Sequence, residues 1–233
     1  MKISNKIKTI FFDLDHTLWD FEKNSFLAYK KIFVKYNFPF SLKLFLKYYI
    51  PINDRYWYEY SRNRISKEKL RTNRLIETFQ LLKFNYDKAL VKKISDLYIN
   101  ILPKQTFLFD GVIDLLEFLK PKYKMHILTN GFEHVQFDKM KYSGLLPFFD
   151  KIINSDNACS KKPDSKIFNY ALELTNQKAE NCLMIGNDID TDIMGALNVG
   201  MDAVHFNSNN VPYHSKCKIV YSMQDLYELF KNK

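Results

Sequence analysis

Two aspartates two residues apart, Asp13 and Asp15, follow the apolar run Ile10-Phe11-Phe12, and the hydroxyl of Thr17 stands two residues further on. Three large apolar residues in a row read as the end of a buried strand. A parallel strand covered on both faces needs such a run. At the carboxyl end of a central strand, open α/β sheets place their ligand sites. The spacing aims both carboxylates into one crevice. Neighbouring carboxylates repel and lose solvation unless a cation or a shared proton relieves them. A hard cation, Mg²⁺, suits that pair. Taken alone, Asp-x-Asp is equally a polar turn after a strand.

Three more polar groups stand at candidate strand ends. Thr129 closes Ile127-Leu128-Thr129-Asn130-Gly131, where a hydroxyl and successive backbone N–H groups can hold phosphoryl oxygens. Lys162 precedes Pro163, near a helix start that attracts anions. Asn187, Asp188 and Asp192 follow the apolar strand Cys182-Leu183-Met184-Ile185 and Gly186. Singly, each has a plain structural reading: a strand-exit cap, a solvated lysine, charges at a helix start. Four polar strand ends in one chain, in this order, point instead to one site.

The elements that must position these groups fall into two compositional parts. From Phe21 to Pro103 the chain has no glycine, and it carries 17 Lys and Arg against 7 Asp and Glu. Apolar residues recur there at helical spacing: Phe26, Leu27, Ile32, Phe33; Leu42, Phe45, Leu46, Tyr49; Leu70, Leu75, Phe79, Leu82; Leu90, Ile94, Leu97, Ile101. Ser66 and Asp87 read as N-caps. About four helices result. From Phe107 onward strand and helix alternate. Strands are expected over Lys124–Leu128, Lys151–Asn154, Cys182–Ile185, Ala203–Phe206 and Lys218–Tyr221. Helices are expected over Gly111–Leu119, Phe132–Tyr142, Pro163–Leu174, Asp190–Asn198 and Gln224–Phe230. Pro163 suits a first helical turn. Alternation of this kind predicts an α/β fold, a doubly wound, Rossmann-like parallel sheet. The division is residues 1–20 and 104–233 as core, with 21–103 as an inserted helical cap.

At 233 residues the chain is long enough to bury a good core. Its 46% hydrophobic and 26% charged residues are ordinary for a soluble globular protein. No apolar run approaches the ~20 residues of a membrane helix, and no signal-peptide core is seen near Met1. No membrane partner is expected. Cys159, Cys182 and Cys217 have no Cys-x-x-Cys pair, which suits free thiols in the cytoplasm. A formal net charge of +9 raises nucleic-acid binding as a rival. No recognition motif or single basic run supports it, so no specific nucleic-acid partner is expected. A monomer or homodimer fits equally.

The order Asp-x-Asp-x-Thr, then Thr/Ser, then Lys-Pro, then Gly-(x)-Asp-(x)-Asp resembles the haloacid dehalogenase (HAD)-like phosphatases over nearly the whole chain. The helical insert resembles that superfamily's first-type cap in position and size. Within the superfamily the strings Phe-Phe-Asp-Leu-Asp-His-Thr-Leu-Trp-Asp, Arg55-Tyr56-Trp57, Leu70-Arg71 and Thr129-Asn130-Gly131-Phe132 look like the bacterial pyrimidine 5′-nucleotidase branch. The resemblance implies a phosphomonoesterase, nucleoside 5′-monophosphates being the expected small-molecule phosphate-ester substrates. It implies Asp13 as nucleophile, Asp15 as general acid and base, and Thr129, Asn130 and Lys162 as holders of the phosphoryl group. Mg²⁺ would rest on Asp13, the Asp15 carbonyl and Asp188, with Thr17 and Asp192 in support. Many relatives carry Asp directly after the glycine, where this chain has Asn187, so Asn187 is the alternative ligand. Asp15 speaks against a dehalogenase, whose reaction has no leaving alkoxide to protonate.

The insert is expected to act as a lid, with Arg55, Tyr56, Trp57, Tyr58 and Tyr60 available to a nucleobase. Aromatics at helical spacing are equally core residues. A phosphosugar phosphatase, a phosphoglucomutase-like enzyme and a receiver-like phosphoacceptor module are the competing readings. The large insert tells against the last.

Overall fold

The computed structural model describes residues 3–232, which divide into two compact units. One comprises residues 3–22 and 106–232, and the other is Lys23–Gln105. The insert is carried by α1 (Phe21–Tyr36), α2 (Leu42–Ser61), α3 (Lys67–Leu81) and α4 (Lys88–Ile101). Ser41, Ser66 and Asp87 cap α2, α3 and α4 by accepting from Leu44 N, Lys69 N and Leu90 N, which satisfies a helix-start donor in each case.

The packing face of the insert departs from the sequence reading at α1 and α4. In α1 the buried residues are Asn24, Ser25, Ala28, Tyr29 and Ile32, while Phe26 is exposed. In α4 they are Val91, Ile94, Ser95 and Tyr98 rather than Leu90 and Leu97. The cause is an aromatic centre that outweighs the aliphatic stripe. Tyr29 stacks on Tyr98 with ring centroids 4.5 Å apart and also meets Phe45 and Tyr49. Rings of this size dominate burial and prefer offset or edge contacts. Arg74 is buried among them, donating to Asn53 Oδ1 at 2.6 Å and lying 5.7 and 5.4 Å from the Tyr49 and Tyr98 rings.

The other unit is a sheet of six parallel strands. These are β1 (Thr9–Phe12), β2 (Lys124–Thr129), β3 (Lys151–Asn154), β4 (Cys182–Gly186), β5 (Asp202–Phe206) and β6 (Lys218–Val220), in the order β3-β2-β1-β4-β5-β6. The doubly wound expectation holds. Helices α5 (Val112–Leu119), α6 (Glu133–Tyr142), α7 (Ser165–Thr175), α8 (Gly195–Asn198) and α9 (Met223–Lys231) accompany it. Phe11, Leu128 and Met184, from three adjacent strands, pack with Ile167, Phe168, Ala171, Ile193 and Ala196. Burying each large side chain contributes roughly 1.5–3 kcal/mol.

Register sets the position of the polar groups. Phe12 aligns with Ile127 on one side and Ile185 on the other. Asp13 N extends the ladder by donating to Ile185 O at 2.9 Å. The ends of β1, β2 and β4 therefore open on one edge, and the strand order reverses between β1 and β4. That reversal creates the crevice where doubly wound sheets bind ligands.

After β1 the chain folds back sharply. Leu14 O accepts from Leu18 N and Trp19 N at 3.0 and 2.9 Å, and His16 takes the left-handed conformation with φ of 59°. The departing and returning segments then pair: Asp20 N donates to Phe107 O and Phe109 N to Leu18 O, both at 3.1 Å. Trp19 and Leu108 form an antiparallel bridge between them.

Two expected helix starts shift. Asp164, not Pro163, begins α7: its side chain accepts from Lys166 N, and Pro163 lies outside behind a cis peptide. The expected helix over Asp190–Asn198 is a π-helical turn, Ile189–Met194, running into α8.

Candidate active site

Lys162 is the hub of the crevice. Its ammonium is buried and donates to Asp13 Oδ1 at 2.7 Å, Asp192 Oδ1 at 2.6 Å and Leu128 O at 2.7 Å. An ammonium has three donors, and all three are used. Burial works against its charge, but Asp13 and Asp192 together outweigh that and hold the ammonium above the ordinary lysine range. The side chain of Asn130 fixes the lysine's backbone, accepting from Lys162 N at 2.8 Å and donating to Lys162 O at 2.9 Å. Asn130 thus positions Lys162, using one of its two N–H donors and its oxygen for that.

Asp13 is buried, and burial pushes its carboxyl up to about 7, with Lys162 pulling down and Asp192 pushing up. Among the described residues no hydrogen bond to its Oδ2 is found, Lys162 holding Oδ1. Asp192 is buried too, and burial raises its carboxyl against the pull of Lys162. Its second oxygen accepts from Asp188 N at 3.0 Å. Gly186 makes room for it, since a Cβ there would lie 2.3 Å from Asp192 Oδ2.

Asp15 does not share these partners. Lys139 Nζ meets both its oxygens, at 2.6 and 2.8 Å, and Gln136 Nε2 donates to Oδ2 at 3.0 Å. The repulsion that the sequence assigns to a cation or shared proton is thus met largely by two separate lysines. Thr129 Oγ1 accepts from Gly131 N at 3.1 Å and from Gln136 Nε2 at 2.8 Å. A hydroxyl has two acceptor sites and one donor, so the Thr129 O–H proton is left to donate.

Asp188 caps the π-helical turn through Oδ1, which accepts from Thr191 N at 2.7 Å, and among the described residues no partner of Oδ2 is found. Asn187 faces Thr17 across a long 3.5 Å contact, and its carbonyl pairs with His205 Nε2 at 3.0 Å. Arg55, Tyr56 and Trp57 lie on α2 in the helical unit. Arg55 ion-pairs with Glu77, which also accepts from the Tyr56 hydroxyl at 3.3 Å. Trp57 meets Tyr60 edge-on, and Tyr60 is buried.

The donor chemistry suits a divalent cation. Asp13, Asp15 and Asp192 pair with only two ammonium groups, Lys139 and Lys162, and Asp188 adds a fourth carboxyl beside Asp192, so carboxyls outnumber cations. The unpartnered oxygens of Asp13 and Asp188 are hard donors. Mg²⁺ keeps several waters and binds through one or two carboxylates. Among the described residues no cluster of three or more His, Cys, Asp or Glu side chains forms a fuller cage.

Gln136 and Lys139 are the site residues that sequence reasoning misses. They stand three apart on α6, on the side that buries Val135 and Met140. Polar residues within a buried helical face were the available signal.

Comparison with known proteins gives a consistent picture. Residues 7–200 match the hydrolase family described as haloacid dehalogenase-like hydrolase. The HAD-hydrolase YfnB of Bacillus subtilis is 29% identical over 226 residues, covering 97% of this chain and 94% of that protein. Pyrimidine 5′-nucleotidase YjjG of Escherichia coli is 28% identical over 221 residues, covering 94% and 95%. The crystal structure of Bacillus subtilis YfnB bound to magnesium, described as revealing interdomain movement, superposes with a TM-score of 0.87 at 27% identity. It covers 97% of this chain and 99% of its own.

Proposed function

The chain belongs to the haloacid dehalogenase-like hydrolases, and from that premise we propose that it is a Mg²⁺-dependent phosphomonoesterase working through an aspartyl-phosphate, with nucleoside 5′-monophosphates as substrates. The observation that carries the reading is Asp13, a buried carboxylate at the reversal of strand order, held on one oxygen by Lys162 at 2.7 Å.

Asp13 attacks phosphorus and the bond to the leaving oxygen breaks. Asp15 gives its proton to that oxygen, then takes one from the water that attacks the acyl phosphate. The second displacement returns Asp13 and releases inorganic phosphate. Lys162 and the free Thr129 proton meet the transferring phosphoryl oxygens, where positioning and charge matter most. Asp13, the Asp15 carbonyl and Asp188 would hold Mg²⁺, with Asn187 as the alternative to Asp188. Mg²⁺ supplies charge neutralisation at the phosphoryl group when bound. Thr17 and Asp192 support the loops that carry these groups.

The nucleotide assignment rests on the likeness to the nucleotidase YjjG and on a cationic insert that suits anionic substrates. The insert acts as a cap that closes over the crevice and excludes water. Arg55, Tyr56 and Trp57 are its candidates for reading the leaving group.

The test is Asp13→Asn assayed with Mg²⁺ against nucleoside monophosphates and sugar phosphates. Hydrolysis should vanish with the fold intact, and hydroxylamine should trap an acyl phosphate only in the parent enzyme. Turnover above roughly a hundredth of the parent rate would remove Asp13 as nucleophile, because losing a group of this kind costs several orders of magnitude.

A further inference from the structure

Helix α6 sends two side chains to one carboxylate. Gln136 and Lys139, three positions apart, share a helical face. Lys139 is 3% exposed and contacts Asp15 at 2.6 and 2.8 Å. Its ammonium also lies 4.4 Å from the centre of the Trp19 ring and 5.5 Å from that of Phe21. The aromatic faces favour the cation and limit where it can go. Gln136 is fully buried and links Asp15 Oδ2 to Thr129 Oγ1. Gly131 yields the space, since a Cβ there would lie 2.4 Å from the Gln136 amide.

An ionised carboxylate has about four lone-pair sites. The contacts from Lys139 and Gln136 occupy three of them. One remains on a side chain that is 24% exposed, and the other three fix its direction. We propose that Lys139 and Gln136 are positioning residues that hold Asp15 so that a single lone pair is available for proton transfer at the leaving oxygen. This rests on the reading of Asp15 as general acid. An acid matters only where the leaving oxygen needs a proton, so misplacing it should hurt alkyl phosphates far more than aryl phosphates.

The experiment compares kcat/KM, which reports steps up to leaving-group departure, for p-nitrophenyl phosphate and for an alkyl phosphate that the Mg²⁺-loaded parent hydrolyses. Asp15→Asn should lose about 10²–10⁴-fold on the alkyl ester, the usual size of acid–base assistance, and far less on the aryl ester. Lys139→Met should lose about 10–100-fold on the alkyl ester and only a few-fold on the aryl ester, a fraction of the same contribution. Lys139→Gln keeps one donor on Asp15, should fall between, and carries the test if Lys139→Met does not fold. Selectivity for leaving groups that shifts in Asp15→Asn but not in the Lys139 variants overturns the positioning role and leaves the acid standing. No selective loss in Asp15→Asn, or no alkyl ester hydrolysed by the parent, sinks the acid reading and the positioning role with it. Failure of both Lys139 variants to fold also overturns the proposal, by making the contact structural.

Discussion

Replacing Asp192 by Asn tests whether Lys162 is the electrostatic centre of the crevice. Asp192 is 2% exposed in its side chain and accepts from two donors, Lys162 Nζ at 2.6 Å and Asp188 N at 3.0 Å. An amide offers one acceptor oxygen and one NH₂ group. In the same place it must aim a donor at one of those two donors. Breaking one side of a buried ion pair costs about 3–5 kcal/mol. Lys162 keeps Asp13 and Leu128 O, so the lower figure of about 3 kcal/mol applies. For a domain of this size each kcal/mol lowers Tm by about 2–4 °C, giving a drop of about 6–12 °C. Calorimetric melting in Mg²⁺-free buffer is the assay, since a bound ion would add stabilisation by mass action. Two compact units can melt separately, so the transition that moves is the one to read. If Asp192 were only a cap on the Asp188 turn, the exchange would cost about 1 kcal/mol. A shift under about 3 °C would therefore refute the argument.

Two further outcomes follow from the same electrostatics. Burial raises the Asp13 carboxyl to about 7 from 3.8, so under the proposed Mg²⁺ reading a proton would compete with the cation for it. The stability this group contributes is complete below the ordinary value and is lost as pH rises through 7. Apparent Mg²⁺ affinity should rise over that window, by up to about tenfold per pH unit below 7. Calorimetric titration in buffers of different ionisation enthalpy should detect the released proton, and a pH-independent affinity would contradict it. In the insert, Arg74→Met leaves Asn53 without its 2.6 Å donor. It should cost about 1–3 kcal/mol in urea unfolding. Asn53→Leu added to it should recover part of the loss, and strict additivity would argue against the pairing.

The sheet is readable in the chain because buried parallel strands must be short apolar runs, and Ile10-Phe11-Phe12 and Cys182-Leu183-Met184-Ile185 are such runs. Strand ends then place Asp13, Thr129 and Asp188 on one edge by topology alone. What escapes depends on contacts between distant segments. Lys139 looks no different from Lys141, the other lysine of α6, until Trp19 and Asp15, more than a hundred residues earlier, are brought beside it. The faces of α1 and α4 are misjudged because Tyr29 and Tyr98 pair with each other, and periodicity weighs positions singly. The turn at Ile189–Met194 differs from an ordinary helix because Asp192, buried on Lys162, also holds Asp188 N.

The paired segments around Trp19 and Leu108 give the chain a property that neither unit has alone. Where the insert leaves and where it returns are already tied by hydrogen bonds at Asp20 and Phe109. To the sheet, the stretch between them is a long excursion with pinned ends. The entropy of closing such an excursion grows only slowly with its length. Sequences of other lengths could be spliced into that interval at little thermodynamic cost. The sheet that carries Asp13 and the helical insert can therefore diverge on separate evolutionary clocks.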